Sequence, residues 1–368
     1  MPAPPRPSSG WINAGPNSDC WGTDPPRIPH RVLVSDKEHH RLRAQESEPT
    51  VQRTLNDLER LIIAALQIDG RATWRKIATV LEEPERTVAR HGAELLSSGV
   101  VTVAGMGVRS STTLLRLECS PGTSRVAAEA LAQRPDTTYS YLMTGGADAV
   151  AELNLDPAAV SSVLTTEIPA TVGLVRAVSY PVLRYFRTIR GWRSGLLTDA
   201  QSRAMDNEFT FDGTDLSSRE PLSEQDERII AVLVEDGRAS LESIARRVRI
   251  SETTAGRRVD WLLRNNRVTV RTLVEPAAMG LPVEAFLWIR SAPSRVEKVG
   301  QALALRREVR YAAAVAGDYQ LVANVTVPDT AALYSFITDP AWADDAYGID
   351  STILLQARKR GGRLIPHP

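Results

Sequence analysis

The tetrapeptide DGRA occurs twice in this chain, as Asp69-Gly70-Arg71-Ala72 and as Asp236-Gly237-Arg238-Ala239. Residues 55–103 slide onto residues 222–270 at a constant offset of 167, with no gap. Leu55, Ile62, Ile63 and Leu66 fall on Leu222, Ile229, Ile230 and Leu233. Ile77-Ala78 falls on Ile244-Ala245, Thr87 and Arg90 on Thr254 and Arg257, and Val101-Thr102-Val103 on Val268-Thr269-Val270. A match held over that length without a gap is not compositional chance, and it marks a duplicated unit.

The unit has helical periodicity. Leu58, Leu61, Ile62, Ala65 and Leu66 share one face of a first helix. DGR stops that helix, and Gly70 or Gly237 is the expected left-handed residue after its end. A short helix follows at Trp74–Leu81 or Leu241–Val248. After a tight turn comes a third, Pro84–Ser97 or Glu252–Arg264. Ser251 stands where an N-cap is wanted, and Glu83 with Pro84 takes that place in the first copy. The β-branched stretches "GVVTVAG" and "RVTVRTLV" then read as a short hairpin or wing. Three helices with a tight turn and a wing make a winged helix-turn-helix.

Each copy continues into a strand-rich segment. In the first, Leu115, Leu117 and Cys119 alternate with Arg116 and Glu118, so Cys119 is expected in a core. The order from there is a helix at 121–133, strands at 137–143 and 149–155 around the turn "TGGAD", a helix from about 157, and a last strand within 172–180. The second copy repeats it with "VEAFLWIR", a helix at 294–306, "VRYAAAV", "AGDY", "QLVANVTV", a helix at 329–337 and "STILLQ". This is β-α-β-β-α-β, the ferredoxin-like order. The expected fold class is α+β, with two tandem copies of a winged helix-turn-helix followed by a ferredoxin-like βαββαβ effector domain. The expected boundaries are 51–107 and 108–190 for the first copy, and 222–276 and 277–360 for the second. Residues 1–50, rich in Pro, Gly, Ser, Arg and His without periodicity, are expected to be a disordered tail. Residues 191–221 are a linker with a short helix near 198–205, and 361–368 a basic tail.

Composition narrows the function. Of 368 residues 43% are hydrophobic, and Lys+Arg and Asp+Glu both number 44, so the net charge is zero. That balance argues against a purely electrostatic nucleic-acid coat but does not exclude local basic patches. Cys20 and Cys119 form neither a disulfide framework nor a metal set. No apolar run reaches membrane-spanning length, and the first residues lack the pattern of a secretion signal. The expected protein is cytoplasmic, with no membrane partner. The five His, at 30, 39, 40, 91 and 367, all lie outside the two βαββαβ segments. There is no metal spacing, nucleophile elbow or phosphate loop, so the expectation is no catalytic residue, no metal and no cofactor.

A winged helix-turn-helix followed by a βαββαβ domain resembles the Lrp/AsnC family of feast/famine transcriptional regulators. The matching stretches are "LSEQDERIIAVLVEDGRASLESIARRVRISETTAGRRVDWLL" and, more loosely, "LNDLERLIIAALQIDGRATWRKIATVLEEPERTVARHGAELL". The resemblance implies a sequence-specific transcriptional regulator that binds double-stranded DNA and responds to an amino acid or related small metabolite. Typical members carry one module per chain, so the tandem copy is a departure. It leaves open a homo-oligomer or an intrachain pseudo-dimer, with sheets paired back to back. Siroheme decarboxylases resemble the same architecture, which makes a tetrapyrrole enzyme the alternative. A ligand sensor without DNA binding is a third.

The candidate DNA-binding residues are Ser251, Thr253, Thr254, Arg257 and Arg258 on the third helix of the second copy, with Arg247 before it. Their counterparts are Arg86, Thr87 and Arg90. Arg and Thr at the start of such a helix can read base edges while flanking Arg hold phosphates. The competing reading is a solvated helix face. The first copy is the weaker reader: residues 55–103 hold seven acids and six bases, against eight and ten in 222–271. Gly92 also replaces the inward Val259, at a helix cost of about 1 kcal/mol. The candidate effector residues are the turn positions Gly145, Gly146, Asp148, Gly317, Asp318 and Tyr319. There Gly allows close backbone approach and Asp can meet an ammonium, though a plain hairpin turn favours the same residues.

Overall fold

The computed structural model describes residues 55–107, 111–189, 192, 194–206 and 222–365. The readings for 1–50, for 207–221 of the linker and for 366–368 lie outside these residues.

Three helices open the described chain: α1 (Asp57–Ile68), α2 (Trp74–Leu81) and α3 (Glu85–Ser97). Asn56 caps α1 through a reciprocal box with Glu59, and Thr73 caps α2. Pro84 itself is the cap residue of α3, one position later than expected, and offers no side-chain cap. Strand β1 (Val101–Gly107) leads into β2 (Ser111–Cys119), α4 (Ser124–Gln133), β3 (Thr137–Met143), β4 (Ala149–Leu155), a short helical turn at Val160–Glu167, and the long β5 (Leu174–Arg187). A linker helix, α5 (Asp199–Met205), follows. The same order then recurs: α6 (Glu224–Glu235), α7 (Leu241–Val248), α8 (Glu252–Arg264), β6 (Val268–Val274), β7 (Val283–Ser291), α9 (Val296–Leu305), β8 (Val309–Val315), β9 (Leu321–Val327), α10 (Thr330–Ile337) and β10 (Ala346–Arg360), which ends in the two-residue β11 (Arg363–Leu364). Ser223, Ser240 and Ser251 cap α6, α7 and α8.

The wing reading needs correction. Neither β1 nor β6 folds back on itself as a hairpin; they pair with each other, antiparallel, from Val101↔Val274 to Gly107↔Val268. Each strand's partner lies in the other helical triad, which local sequence cannot reveal. The role of the DGR glycines changes for the same reason. Gly70 and Gly237 do not have positive φ; in the turns between second and third helices it is Glu82 (φ 57°) and Arg249 (φ 65°) that are left-handed. The glycines are required by close approach. A Cβ on Gly237 would lie 3.0 Å from the backbone of Val103 and Ala104, and one on Gly70 3.0 Å from the Val103 side chain. The Gly237 N–H donates to the Val103 carbonyl at 2.9 Å.

The remaining strands close into a barrel. Its order is β10-β3-β4-β2-β5-β8-β9-β7, and β7 pairs back onto β10. The two sheets do not simply lie back to back; they share strands. β5 pairs with β2 through Pro181 and then, from Val182, with β8. β10 pairs with β7 through Ile353 and then, from Leu354, with β3. This crossing makes β5 longer than the strand expected at 172–180, and it closes the order of the eight strands into a ring. Aromatic side chains fill the interior, among them Tyr139, Tyr141, Tyr180, Phe286, Trp288 and Tyr311. The opposite faces of the strands carry aliphatic layers under α4 and under α9 and α10. Cys119 is only partly buried, at the edge of one such layer, rather than in a core.

Residues 361–365 are not a loose tail. The Gly362 N–H donates to the Thr138 carbonyl at 2.7 Å, and Arg363 reaches the carbonyls at the end of α6. Among the described residues, no helix is long and apolar enough to cross a membrane.

Candidate nucleic-acid interface and effector cluster

The two helical triads are held against each other by the residues that first marked the repeat. Arg71 donates to the carbonyls of Gly237 (2.5 Å) and Ala239 (3.0 Å). Arg238 returns the contact, to Gly70 (2.7 Å) and Ala72 (2.9 Å), with its guanidinium 4.4 Å from the centre of the Trp74 ring. Each Arg is the fork that satisfies two turn carbonyls of the other triad. Burial lowers both guanidinium pKa values, and Asp69 and Asp236 act against that shift. The repeat of DGRA was visible in the sequence, but this role was not. The signal was the Arg itself, kept at the same place in both copies.

On α8, Ser251 spends its hydroxyl on the Thr254 N–H at 3.1 Å, fixing the helix start. Thr253 and Arg257 are exposed along its first half, and Thr254 is half-buried. Arg258 is committed elsewhere. Its Nε and Nη2 lie 2.7 and 2.5 Å from the two carboxylate oxygens of buried Asp226, and it stacks 4.5 Å from the Trp261 ring centre. Burial alone would raise the Asp226 carboxyl, but hydrogen bonds from Arg258 and Ser223 outweigh it and hold the group below its ordinary range. Arg258 therefore ties α8 to α6, and the structure leaves Arg257 as the outward arginine. Arg247 is exposed and paired with Glu235 at 2.5 Å, a surface contact that a phosphate can replace.

The first triad differs in detail. Arg86 is exposed and Thr87 half-buried; Arg90 is exposed and bridges to Glu94 at 2.9 Å. Where α8 sets Arg258 against Asp226, α3 sets His91 against Glu59 at 3.2 Å. Gly92 leaves no hole: a Cβ there would sit 2.4 Å from the Trp74 indole, which occupies the space of the missing side chain. The inward face of α3 is therefore repaired rather than degenerate. The linker helix α5 also lies on this triad. Met205 is buried in its core, its carbonyl accepts from Lys76 at 3.0 Å, and Gln201 donates to the Val80 carbonyl. On α7, in contrast, Arg246 and Arg247 are exposed, as is Arg249 just beyond it.

Elements of both barrel halves meet at the two Gly/Asp turns. Gly145 has φ +83°, and a Cβ on Gly146 would strike Arg116, which donates to the Gly146 carbonyl at 2.8 Å. Arg116, on β2, also donates to the Tyr319 hydroxyl of the other turn at 2.8 Å. Tyr319 in turn donates to Asp350 on β10. Gly317 has φ +147°, a Cβ there would lie 2.7 Å from the Tyr180 ring, and the Tyr180 hydroxyl donates to Asp318 at 2.8 Å. Arg290 lies 4.3 Å from the Tyr319 ring centre, 3.8 Å from Asp350 and 4.0 Å from Asp318. Burial raises the Tyr319 phenol, with the Asp350 bond adding to the shift and Arg116 opposing it. Of the expected turn residues, Gly146, Asp318 and Tyr319 join one cluster. Asp148 is instead used locally, accepting from the Cys119 N–H at 2.7 Å. Arg116, Tyr180, Arg290 and Asp350 were missed: Tyr180 reaches the second turn because β5 crosses to β8, and the others project from β2, β7 and β10, whose pairing the local sequence does not reveal. Arginines on the first strand of each half were the available hint.

Comparison with known proteins places the chain. A model of the Lrp/AsnC ligand binding domain matches residues 284–364, and one of the AsnC-type helix-turn-helix domain matches 222–263. An uncharacterized HTH-type transcriptional regulator of Pyrococcus abyssi is 33% identical over 147 residues, 39% of this chain and 93% of the relative. The HTH-type transcriptional regulator AldR of Mycobacterium tuberculosis is 28% identical over 140 residues, 37% of this chain and 78% of the relative. Among solved structures, the siroheme decarboxylase NirDL superposes over 83% of this chain and 93% of its own, with a TM-score of 0.53 at 14% identity. That likeness is one of fold alone. The chain belongs to the Lrp/AsnC family and is a transcriptional regulator of the AsnC type.

Proposed function

We propose that this regulator is two family modules fused into an intrachain pseudo-dimer, which binds double-stranded DNA mainly through α8. The outward first half of α8, with Thr253 and Arg257 free on its surface, carries this reading. The Arg71/Arg238 clasp and the β1–β6 ribbon hold the two triads in one register, as a pair of recognition helices requires. The readers are unlike, since α3 bears Arg86, Thr87 and Arg90 where α8 bears Thr253, Thr254 and Arg257. One chain should therefore occupy a lopsided site, with one strongly specified half. A mobility shift on the promoter of the protein's own gene, followed by base-by-base substitution, tests this. A symmetric core needing two chains would reject it, and no shift at all would favour a sensor acting through protein partners.

The effector is an amino acid or related small metabolite, received at the Arg116/Arg290/Asp318/Asp350 cluster. Paired cations and carboxylates with long 3.5–4.0 Å separations can exchange partners with a zwitterion. Binding there would shift assembly or half-site preference by differential affinity for two states. Calorimetry with single amino acids on wild type and Asp318→Asn checks the assignment.

A further inference from the structure

A groove of about 370 Å³ opens between α6, the end of β1 and the corner between α4 and β3. Its apolar wall is Met106, Ile230 and Val234, and its polar wall includes Asp136, Thr137 and Glu227. The segment 111–155 follows the same order as 283–327 at an offset of 172, so Pro135–Thr138 corresponds to Arg307–Arg310. On that second corner the space is taken. The Trp192 indole N–H donates to the Arg307 carbonyl at 2.7 Å, its ring lies 5.1 Å from the Arg310 guanidinium, and the residue is only 2% exposed. At the same offset the residue matching Trp192 is Leu364, which is 48% exposed and fills nothing comparable. One corner is plugged by the chain's own indole, and its twin is open.

We propose that the open groove is a second small-molecule site, one that takes a small aromatic amine in the position Trp192 holds on the other side. The inference rests on the paired-module reading above. Met106 and the Ile230/Val234 face offer apolar walls to a planar ring, and the volume is within the range of small-ligand pockets. Asp136 is held by Arg134 at 2.7 and 2.9 Å, so exposed Glu227 is the carboxylate open to an ammonium. Thr137 is buried, and its hydroxyl has no protein partner among the described residues. A ligand here touches α6 of the DNA-binding half and β3 of the barrel, and so ties the orientation of one to the other.

The test is titration calorimetry of tryptamine and neutral indole into the full chain. Tryptamine should bind saturably at one site, at least tenfold tighter than indole. Val234→Trp fills the groove from an exposed position and should abolish binding without lowering the melting temperature. Trp192→Ala, where it folds, should raise the stoichiometry from one to two. Absence of saturable binding, equal binding of indole, or binding unchanged in Val234→Trp would overturn the proposal. The same preparations go into the mobility-shift assay. DNA binding without amine binding removes only this site, whereas loss of DNA binding removes the reading beneath it.

Discussion

Arg238→Ala should be among the most damaging substitutions at a position that is only half-buried. The guanidinium makes two charged hydrogen bonds to turn carbonyls of the other triad, at 2.7 and 2.9 Å. Bonds to charged groups contribute about 1.5–3 kcal/mol each, and the Trp74 contact adds about 0.5–1 kcal/mol. Against these stand the burial cost of the cation and repulsion from Arg71, both of which lower its pKa. Relief of those two terms leaves a net loss of about 3 kcal/mol, within the range of a broken buried network. Arg238→Lys separates charge from geometry. An ammonium keeps the charge but lacks the planar fork, so it should restore less than half of the loss. Urea unfolding followed by tryptophan fluorescence gives both values, and the denaturant slope should stay constant. A loss below about 0.5 kcal/mol, or full rescue by Lys, would refute the clasp as the element joining the triads.

Other positions give sharper contrasts. Arg257→Ala should leave stability within about 0.5 kcal/mol of wild type while weakening DNA binding and lowering the salt slope by about 0.9. Arg258→Ala should cost about 2–4 kcal/mol, because Asp226 loses its bidentate partner in a site that is buried on the acid's side only; equal melting temperatures for the two variants would sink this division of labour. Gly92→Ala should destabilise by about 1–3 kcal/mol despite the better helix former, because its Cβ meets the rigid Trp74 indole at 2.4 Å. Gly256→Ala meets only the flexible tip of Leu241, at 3.3 Å, and should be neutral or stabilising by up to about 1 kcal/mol. Burial pushes the Glu152 carboxyl up to about 7, with Arg271 pulling against it. The folded state therefore keeps a proton that the unfolded chain releases, and stability falls as pH rises from about 4.3 towards 7. Glu152→Gln should flatten that fall, and parallel urea midpoints for the two proteins between pH 5 and 8 would contradict it.

Local signals were legible in the sequence, and contacts between the halves were not. The helix start at Ser251 was legible, since capping is decided within four residues, and Ser223 and Ser240 cap their helices by the same local chemistry. The linker helix was visible in Thr198 through Met205 for the same reason. Gly70 and Gly237 were read by their commonest local use, but their reason lies on a strand of the other triad or of the shared ribbon. Arg258 looked like a phosphate ligand because its partner, Asp226, is 32 residues earlier on another helix. At the turns, Asp318 and Tyr319 carried a recognisable signature. Tyr180 reaches them only because β5 changes sheets midway, and Asp350 reaches Tyr319 across β7 of its own half; nothing in their own sequence neighbourhoods requires either contact.

The shared strands also bear on dosage. A regulator assembled from separate subunits passes through a concentration below which its pair falls apart, so its output bends upward as expression rises. Here β5 and β10 each belong to both halves of the barrel. The pair is made once, during folding of a single polypeptide, and dilution does not undo it. Occupancy of a one-chain site should then follow a simple hyperbola down to a few copies per cell. On the paired reading proposed above, each half can also accumulate its own changes, because a substitution in one reader is not imposed on the other.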